Sequence, residues 1–348
     1  IPQPKLYITE YQLYKTICPN CKAIHTGDFP QGVNAPSQYG NGVKAYLTLL
    51  NNHYKLAHNK VKGIFYDLYG YPVNESTVIT TNQTFYQRLQ PCEEIIKTEI
   101  TKSTVANADE SGIRVEGKLY WLHVTSTALF SYFYVHKKRG EQAMNSPQSI
   151  LNRFFGWLVH DCWSSYFNFT HIKHAICNAH ILRELEALIE NNSKWAKVFK
   201  TFLLKVYYMT EDERLRQKHL IESRYSLICG IADKREPFPQ KKSGRGKCKR
   251  TKGRNLLERL VKRKEAVLAF AFNKEVPFTN NLAERDIRPA KTKQKISGSF
   301  RTFQGAEVYA RIEGFISTCK KHHQNIFKEL VNTLNGSNFI LDNYSCAK

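Results

Sequence analysis

The chain has 348 residues, 42% hydrophobic and 12% aromatic, enough for a sizeable core and for more than one domain. Its 52 Lys and Arg stand against 30 Asp and Glu, a net charge of +22 that attracts polyanions, so double-stranded DNA or another nucleic acid is the expected partner. No apolar run of about 18 residues and no leader-like segment occurs, which speaks against a membrane span and for a cytoplasmic location. The nine cysteines are odd in number and irregularly spaced, which fits thiols or metal ligands better than a disulfide framework. A chain that opens on Ile1, without methionine, reads as a piece of a longer protein.

Residues 1–34 are punctuated by Pro and Gly and contain "CPNC". Cys18 and Cys21 have the spacing of half a zinc ribbon, and no second pair follows nearby. Either that pair precedes Ile1 or the two are ordinary thiols. Residues 35–102 predict helices. "GVKAYLTLLNNHY" carries apolar residues at helical spacing, "HNKVKGIFYDLYG" ends on a capping Gly70, and Asn74 or Ser76 starts another helix. Helix, turn, helix fits either a DNA reader or a plain bundle. As a reader, its second helix would offer Thr77, Thr80, Thr81 and Gln83 to a groove.

From about residue 103 strands are expected. "TVANADESG" predicts a short strand ending in acids, with Asp109 at its end. Leu119–Thr125 and Leu129–His136 predict two more, and a helix interrupted near Pro147 follows. "GWLVHD" predicts a strand ending on Asp161, and "HAICNAH" another after a helix. This is a mixed α/β core over residues 103–177. Two carboxylates delivered by two strands of one sheet can converge, and as hard donors they suit Mg²⁺ or Mn²⁺.

Residues 178–275 predict mostly helices, broken by the basic, Gly- and Pro-rich stretch "DKREPFPQKKSGRGKCKRTKGRN" as a flexible loop. The last segment, 276–348, contains "NNLAERDIR". Here Asn281, Glu284 and Arg288 lie on one helical face. That face presents an amide, a carboxylate and an arginine to one place, or else is a solvated ion pair. An acid among so many cations makes sense if it binds metal while Arg285, Arg288, Lys291, Lys293 and Lys295 hold phosphates.

Five blocks, "ADESGIRVEGKLYWLHV", "VHDCWSSY", "HAICNAHILREL", "VPFTNNLAERDIR" and "KQKISGSFRTFQGAE", occur in an order that resembles the transposases of the insertion sequence 66 family. The resemblance spans nearly the whole chain. It implies a DDE transposase with an RNase H-like core and a helical insertion before the last acid. Asp109, Asp161 and Glu284 match the family's three acids. It further implies Mg²⁺- or Mn²⁺-dependent strand cleavage and transfer on DNA, homo-oligomeric synapsis, accessory proteins and association with the bacterial nucleoid. Arg301, in "SFRT", joins the expected DNA contacts. The resemblance favours helix-turn-helix for the early helices, and it makes "CPNC" the second half of a zinc-binding segment. An inactive, DNA-binding relic and a nuclease that cuts without joining are the alternatives. Cys177 and His180 match a C-x-x-H string found in several similar families. They either bind zinc, with His174 as a third ligand, or brace the sheet as buried contacts. Cys162 stands after Asp161 where a small residue such as Gly is expected.

Overall fold

In the computed structural model, which describes residues 4–239 and 250–345, a small antiparallel hairpin comes first, β1 (Lys15–Ile17) and β2 (Ile24–Thr26). Four helices follow: α1 (Asn41–Thr48), extended by a π-helical turn (Leu49–His53), then α2 (His58–Tyr69), α3 (Glu75–Arg88) and α4 (Gln90–Lys102). Gly70 ends α2 at φ 73°, a left-handed cap that glycine adopts without steric cost. Within α3, Thr81 is buried, so the expectation that it faces a groove does not hold. Its neighbours Val78, Asn82 and Phe85 are buried with it. Thr48, Asn51, Asn52 and Asn82 form a buried hydrogen-bonded cluster that joins α3 to α1 and its π turn.

The main sheet contains β3 (Val105–Val115), β4 (Lys118–Ser126), β5 (Ser131–His136), β6 (Trp157–His160) and β7 (Lys173–Ile176) in the order β5-β4-β3-β6-β7. The first three form an antiparallel meander, and β6 and β7 run parallel to β3. The β3–β4 connection is a two-residue turn. Glu116 and Gly117 both have positive φ, 51° and 74°, as a turn matching the strand twist requires. Because that turn lies so late, β3 runs on to Val115 and Asp109 falls mid-strand, not at the strand's end. The expected helix around Pro147 shrinks to α5 (Glu141–Met144) and a 3₁₀ turn at Leu151–Arg153, since proline cannot continue a helix. Between β6 and β7 there is only a 3₁₀ turn, Ser164–Asn168, in place of the expected helix.

After β7 come α6 (Asn178–Glu190), α7 (Lys194–Tyr208), α8 (Glu211–Arg216), α9 (Lys218–Arg235), α10 (Lys252–Lys262) and α11 (Lys264–Phe272). The expected basic loop falls between α9 and α10, and its residues 240–249 lie outside the described residues. The chain then returns to the sheet with α12 (Asn281–Ser297) and ends in α13 (Phe303–Lys321), α14 (Ile326–Asn335) and α15 (Phe339–Tyr344).

The alternation of β3 sorts its side chains onto two faces. Ala106 and Ala108 enter a core with α3, α4, α13 and α15, which includes Phe85, Ile96, Phe315 and Ile340. Ile113 and Val115 enter a second core with Ala283, Ile287 and Ala290 of α12. A third core joins Val159, Ala175 and Ile176 to α6, α7 and α9–α11. No helix among the described residues is long and apolar enough to cross a membrane.

Candidate active site

Two strands and one helix bring the expected acids together. Val105, Ala106 and Asn107 of β3 pair in parallel with Trp157, Leu158 and Val159 of β6. Two residues beyond the last pair on each strand stand Asp109 and Asp161, so the register delivers both to one end of the parallel pair. Gly156 makes that pairing close. A Cβ there would meet the Thr104 carbonyl at 2.5 Å and the Ser103 carbonyl at 2.8 Å.

Helix α12 is held at two points. Asn280, just before its first turn, donates through Nδ2 to the Ala108 carbonyl at 2.8 Å and accepts from Asn107 Nδ2 at 2.9 Å. Six residues on, Asp286 is buried and accepts from Ser126 and Ser131 at 2.7 Å each, with Lys321 Nζ at 2.6 Å. Between these anchors Glu284 is presented towards β3 and β7. The amide that matters is therefore Asn280, not the exposed Asn281 that helical phase suggested. Among the described residues no ion pair joins Glu284 to Arg288.

Asp109 shows the effect of this convergence. Its carboxyl pKa is pushed up to about 7, first by burial, then by Glu110, and by smaller repulsions from Asp161 and Glu284. The backbone N–H of Glu110, donating to Asp109 Oδ1 at 2.9 Å, opposes the rise.

Four residues around the acids were not singled out from the sequence. Glu110 points to the opposite face of β3, where Tyr166 Oη donates to its Oε2 at 2.6 Å and Arg139 Nε to its Oε1 at 2.7 Å. Arg139 also reaches Asp161 Oδ2 at 3.7 Å and lies over the Trp163 ring at 3.9 Å from its centroid. Asp161 accepts the Trp163 backbone N–H at 3.0 Å. Thus Arg139 links Glu110 to Asp161, a role no spacing rule reveals. The one readable signal was the adjacency of Glu110 to Asp109 on a strand, which forces their side chains apart.

On α12 and beyond, Arg285, Arg288, Lys291, Lys295 and Arg301 are exposed. Lys293 is not, which corrects the expectation that it contacts phosphate. Its ammonium donates to the Asn51 carbonyl at 3.2 Å and lies 5.2 Å from the Tyr309 ring centre. Burial pushes its pKa down to about 8.

Cys177 is fully buried and accepts the Asn280 backbone N–H at 3.1 Å. Its Sγ lies 3.9 Å from Glu284 Oε1, and His180 Nδ1 lies 3.7 Å from the same oxygen. His174 is not the third member of this group. It bonds instead to His160, Nδ1 to Nε2, at 3.1 Å and to the Phe169 carbonyl. Cys162 is half-buried against the β6–β7 helical core. Cys18 and Cys21 sit at the turn joining β1 and β2. The Cys21 backbone amide leads the hydrogen bonds that lower the Cys18 thiol pKa.

A family model described as Transposase IS66 family matches residues 36–308, most of the chain and all of the elements just described from α1 to the start of α13. The chain belongs to the IS66 transposase family. No curated protein matches it. Within this IS66-family chain the match covers the sheet, Asn280 and Asp286, and Asp109, Asp161 and Glu284.

Proposed function

We propose that this chain is a DDE transposase, cutting and rejoining DNA at an active site made of Asp109, Asp161 and Glu284. The observation that carries the reading is the β3–β6 register, which sets Asp109 and Asp161 at one end of the parallel pair, with Asp161 and Glu284 both adding repulsion at the Asp109 carboxyl. Half-buried acids that repel one another are relieved by a hard cation. The donor set therefore fits Mg²⁺ or Mn²⁺. An antiparallel meander followed by two strands parallel to its first strand supports an RNase H-like core, with α6–α11 as a helical insertion.

In this reading Asp109, Asp161 and Glu284 hold the metal. When bound there, it neutralises the developing phosphate charge and lowers the pKa of a bound water. Asp109 would serve there as the carboxylate, the form a nearby cation favours. Arg139 holds Asp161 in place from one side. Asn280 and Asp286 hold the helix that carries Glu284. Arg285, Arg288, Lys291, Lys295 and Arg301 grip the DNA backbone, giving affinity and salt dependence more than sequence choice. The first reaction hydrolyses a phosphodiester at the element's end. The freed 3′-hydroxyl then attacks a target phosphodiester, and the broken strand departs as a 3′-hydroxyl. Helices α2 and α3 supply end recognition, copies of the chain assemble for synapsis, and accessory proteins take part in the cytoplasm on the nucleoid. Zinc at Cys18 and Cys21 needs further ligands.

The test is cleavage of labelled DNA bearing the element's ends, with Mg²⁺ or Mn²⁺, wild type beside Glu284→Gln. Nicking at the ends by wild type alone supports the reading. Equal DNA binding by both with no nicking in either makes the chain a binding relic.

A further inference from the structure

We propose that Cys177, His180 and Glu284 form a second metal site, suited to a thiophilic divalent cation such as Zn²⁺, which shares Glu284 with the hard-metal centre. The three donor atoms lie within 4.8 Å of one another. Glu284 Oε1 is 3.9 Å from Cys177 Sγ and 3.7 Å from His180 Nδ1. Donors on a tetrahedral zinc, at bond lengths of about 2.0–2.3 Å, stand roughly 3.3–3.8 Å apart, so small side-chain movements close the site.

The surroundings point the same way. His180 Nδ1 is shielded from solvent and has no hydrogen-bond partner. A buried ring nitrogen left unpartnered is costly, and a cation resolves it. Cys177 sits at the junction of β7 and α6, and its sulfur already accepts the Asn280 N–H at 3.1 Å, an outer contact that supports a thiolate. Cysteine, histidine and one carboxylate, with a fourth position open, are ligands typical of zinc. Mg²⁺ prefers oxygen alone. On binding, the Cys177 S–H bond is replaced by a sulfur–metal bond and one proton leaves to solvent.

The consequence for activity rests on the transposase reading. Glu284 cannot face both cations fully, so Zn²⁺ at this site draws it away from Asp109 and Asp161 and suppresses cleavage. The site's existence does not depend on that reading.

The test uses the full chain carrying Cys18→Ser and Cys21→Ser, which removes the C-x-x-C thiols. Co²⁺ is titrated in as the probe, and the near-ultraviolet thiolate-to-cobalt absorption is followed. The expected result is one Co²⁺ per chain giving this band, displaced by Zn²⁺ and abolished by Cys177→Ser. His180→Gln and Glu284→Gln should each weaken binding by about tenfold or more. His180 is partly exposed, so its variant keeps the fold, checked by circular dichroism, even where Cys177→Ser does not. A band absent from the reference chain, or equal binding in His180→Gln, overturns the site, and unchanged binding in Glu284→Gln overturns the sharing. Asp109→Asn should keep the band while losing cleavage, which separates failure of this site from failure of the transposase reading.

Discussion

Asn107 Nδ2 donates to Asn280 Oδ1 at 2.9 Å, and Asn280 in turn donates to the carbonyl of Ala108, the residue before Asp109. The strand that bears one acid is thereby tied to the start of the helix that bears another. Asn280→Ala would leave Asn107 and the Ala108 carbonyl without their partner in a buried place. Each such orphan costs about 1–3 kcal/mol. The variant should lose about 2–4 kcal/mol of stability in urea unfolding. Cleavage should also fall by about 100-fold at a temperature where the variant remains folded, because Glu284 is no longer held. Asn280 is a positioning residue, so the loss should appear in kcat and in Mn²⁺ affinity, with DNA affinity unchanged.

The high Asp109 pKa has a definite sign. The folded protein holds its proton up to about pH 7, whereas the unfolded chain releases it near 3.8. Folded chains therefore bind more protons between those values, and this group's contribution to stability falls as pH rises through that window. In metal-free protein, Asp109→Asn should raise the melting midpoint at pH 8 by about 2 °C, corresponding to about 1 kcal/mol. The gain should fade by pH 4. Added Mn²⁺ should stabilise wild type more at pH 8 than at pH 6 and do little for the variant. Calorimetry across pH checks all three.

The basic residues of α12 and just beyond it divide by burial. Arg288→Ala, Lys291→Ala, Lys295→Ala and Arg301→Ala should each weaken binding to any DNA sequence and lower the salt slope by about 1. Lys293→Ala should leave the slope unchanged and lower stability instead, since its ammonium bonds to the Asn51 carbonyl inside the protein. Fluorescence anisotropy at several salt concentrations separates the two classes.

Gly156, just before β6, packs against the backbone that leads into β3. Gly156→Ala puts a methyl group against two backbone carbonyls, which cannot move as a side-chain end can. A loss of about 2–3 kcal/mol in denaturant unfolding is expected.

Much of this was legible. Runs rich in aromatic and β-branched residues marked two strands of the meander, the apolar run before Asp161 marked β6, and Gly70 marked the end of α2. The site was less so. Adjacent asparagines at 280 and 281 differ only in helical phase, and the bond to β3 that chooses between them joins residues far apart in sequence. Lys293 was misread for the opposite reason. It continues the buried row of Asp286 and Ala290 at helical spacing, but a run of cations drew attention to charge over phase. Asp109 was placed at a strand end because acids often stop strands, while the turn that sets the strand's length lies further on, at Glu116 and Gly117. Arg139 and Tyr166 reach Glu110 across separate loops, and no local pattern encodes that.

The measurement that bears most directly on the shared-metal claim is Mn²⁺ binding to the full chain carrying His180→Gln, read by electron paramagnetic resonance. Asp109→Asn, Asp161→Asn and Glu284→Gln are each added to it. Each substitution is predicted to weaken Mn²⁺ binding by about tenfold or more, because each carboxylate is a ligand of one centre. If Asp109→Asn and Asp161→Asn bind Mn²⁺ as tightly as their parent, the three acids do not hold a common metal and the proposed active site is wrong.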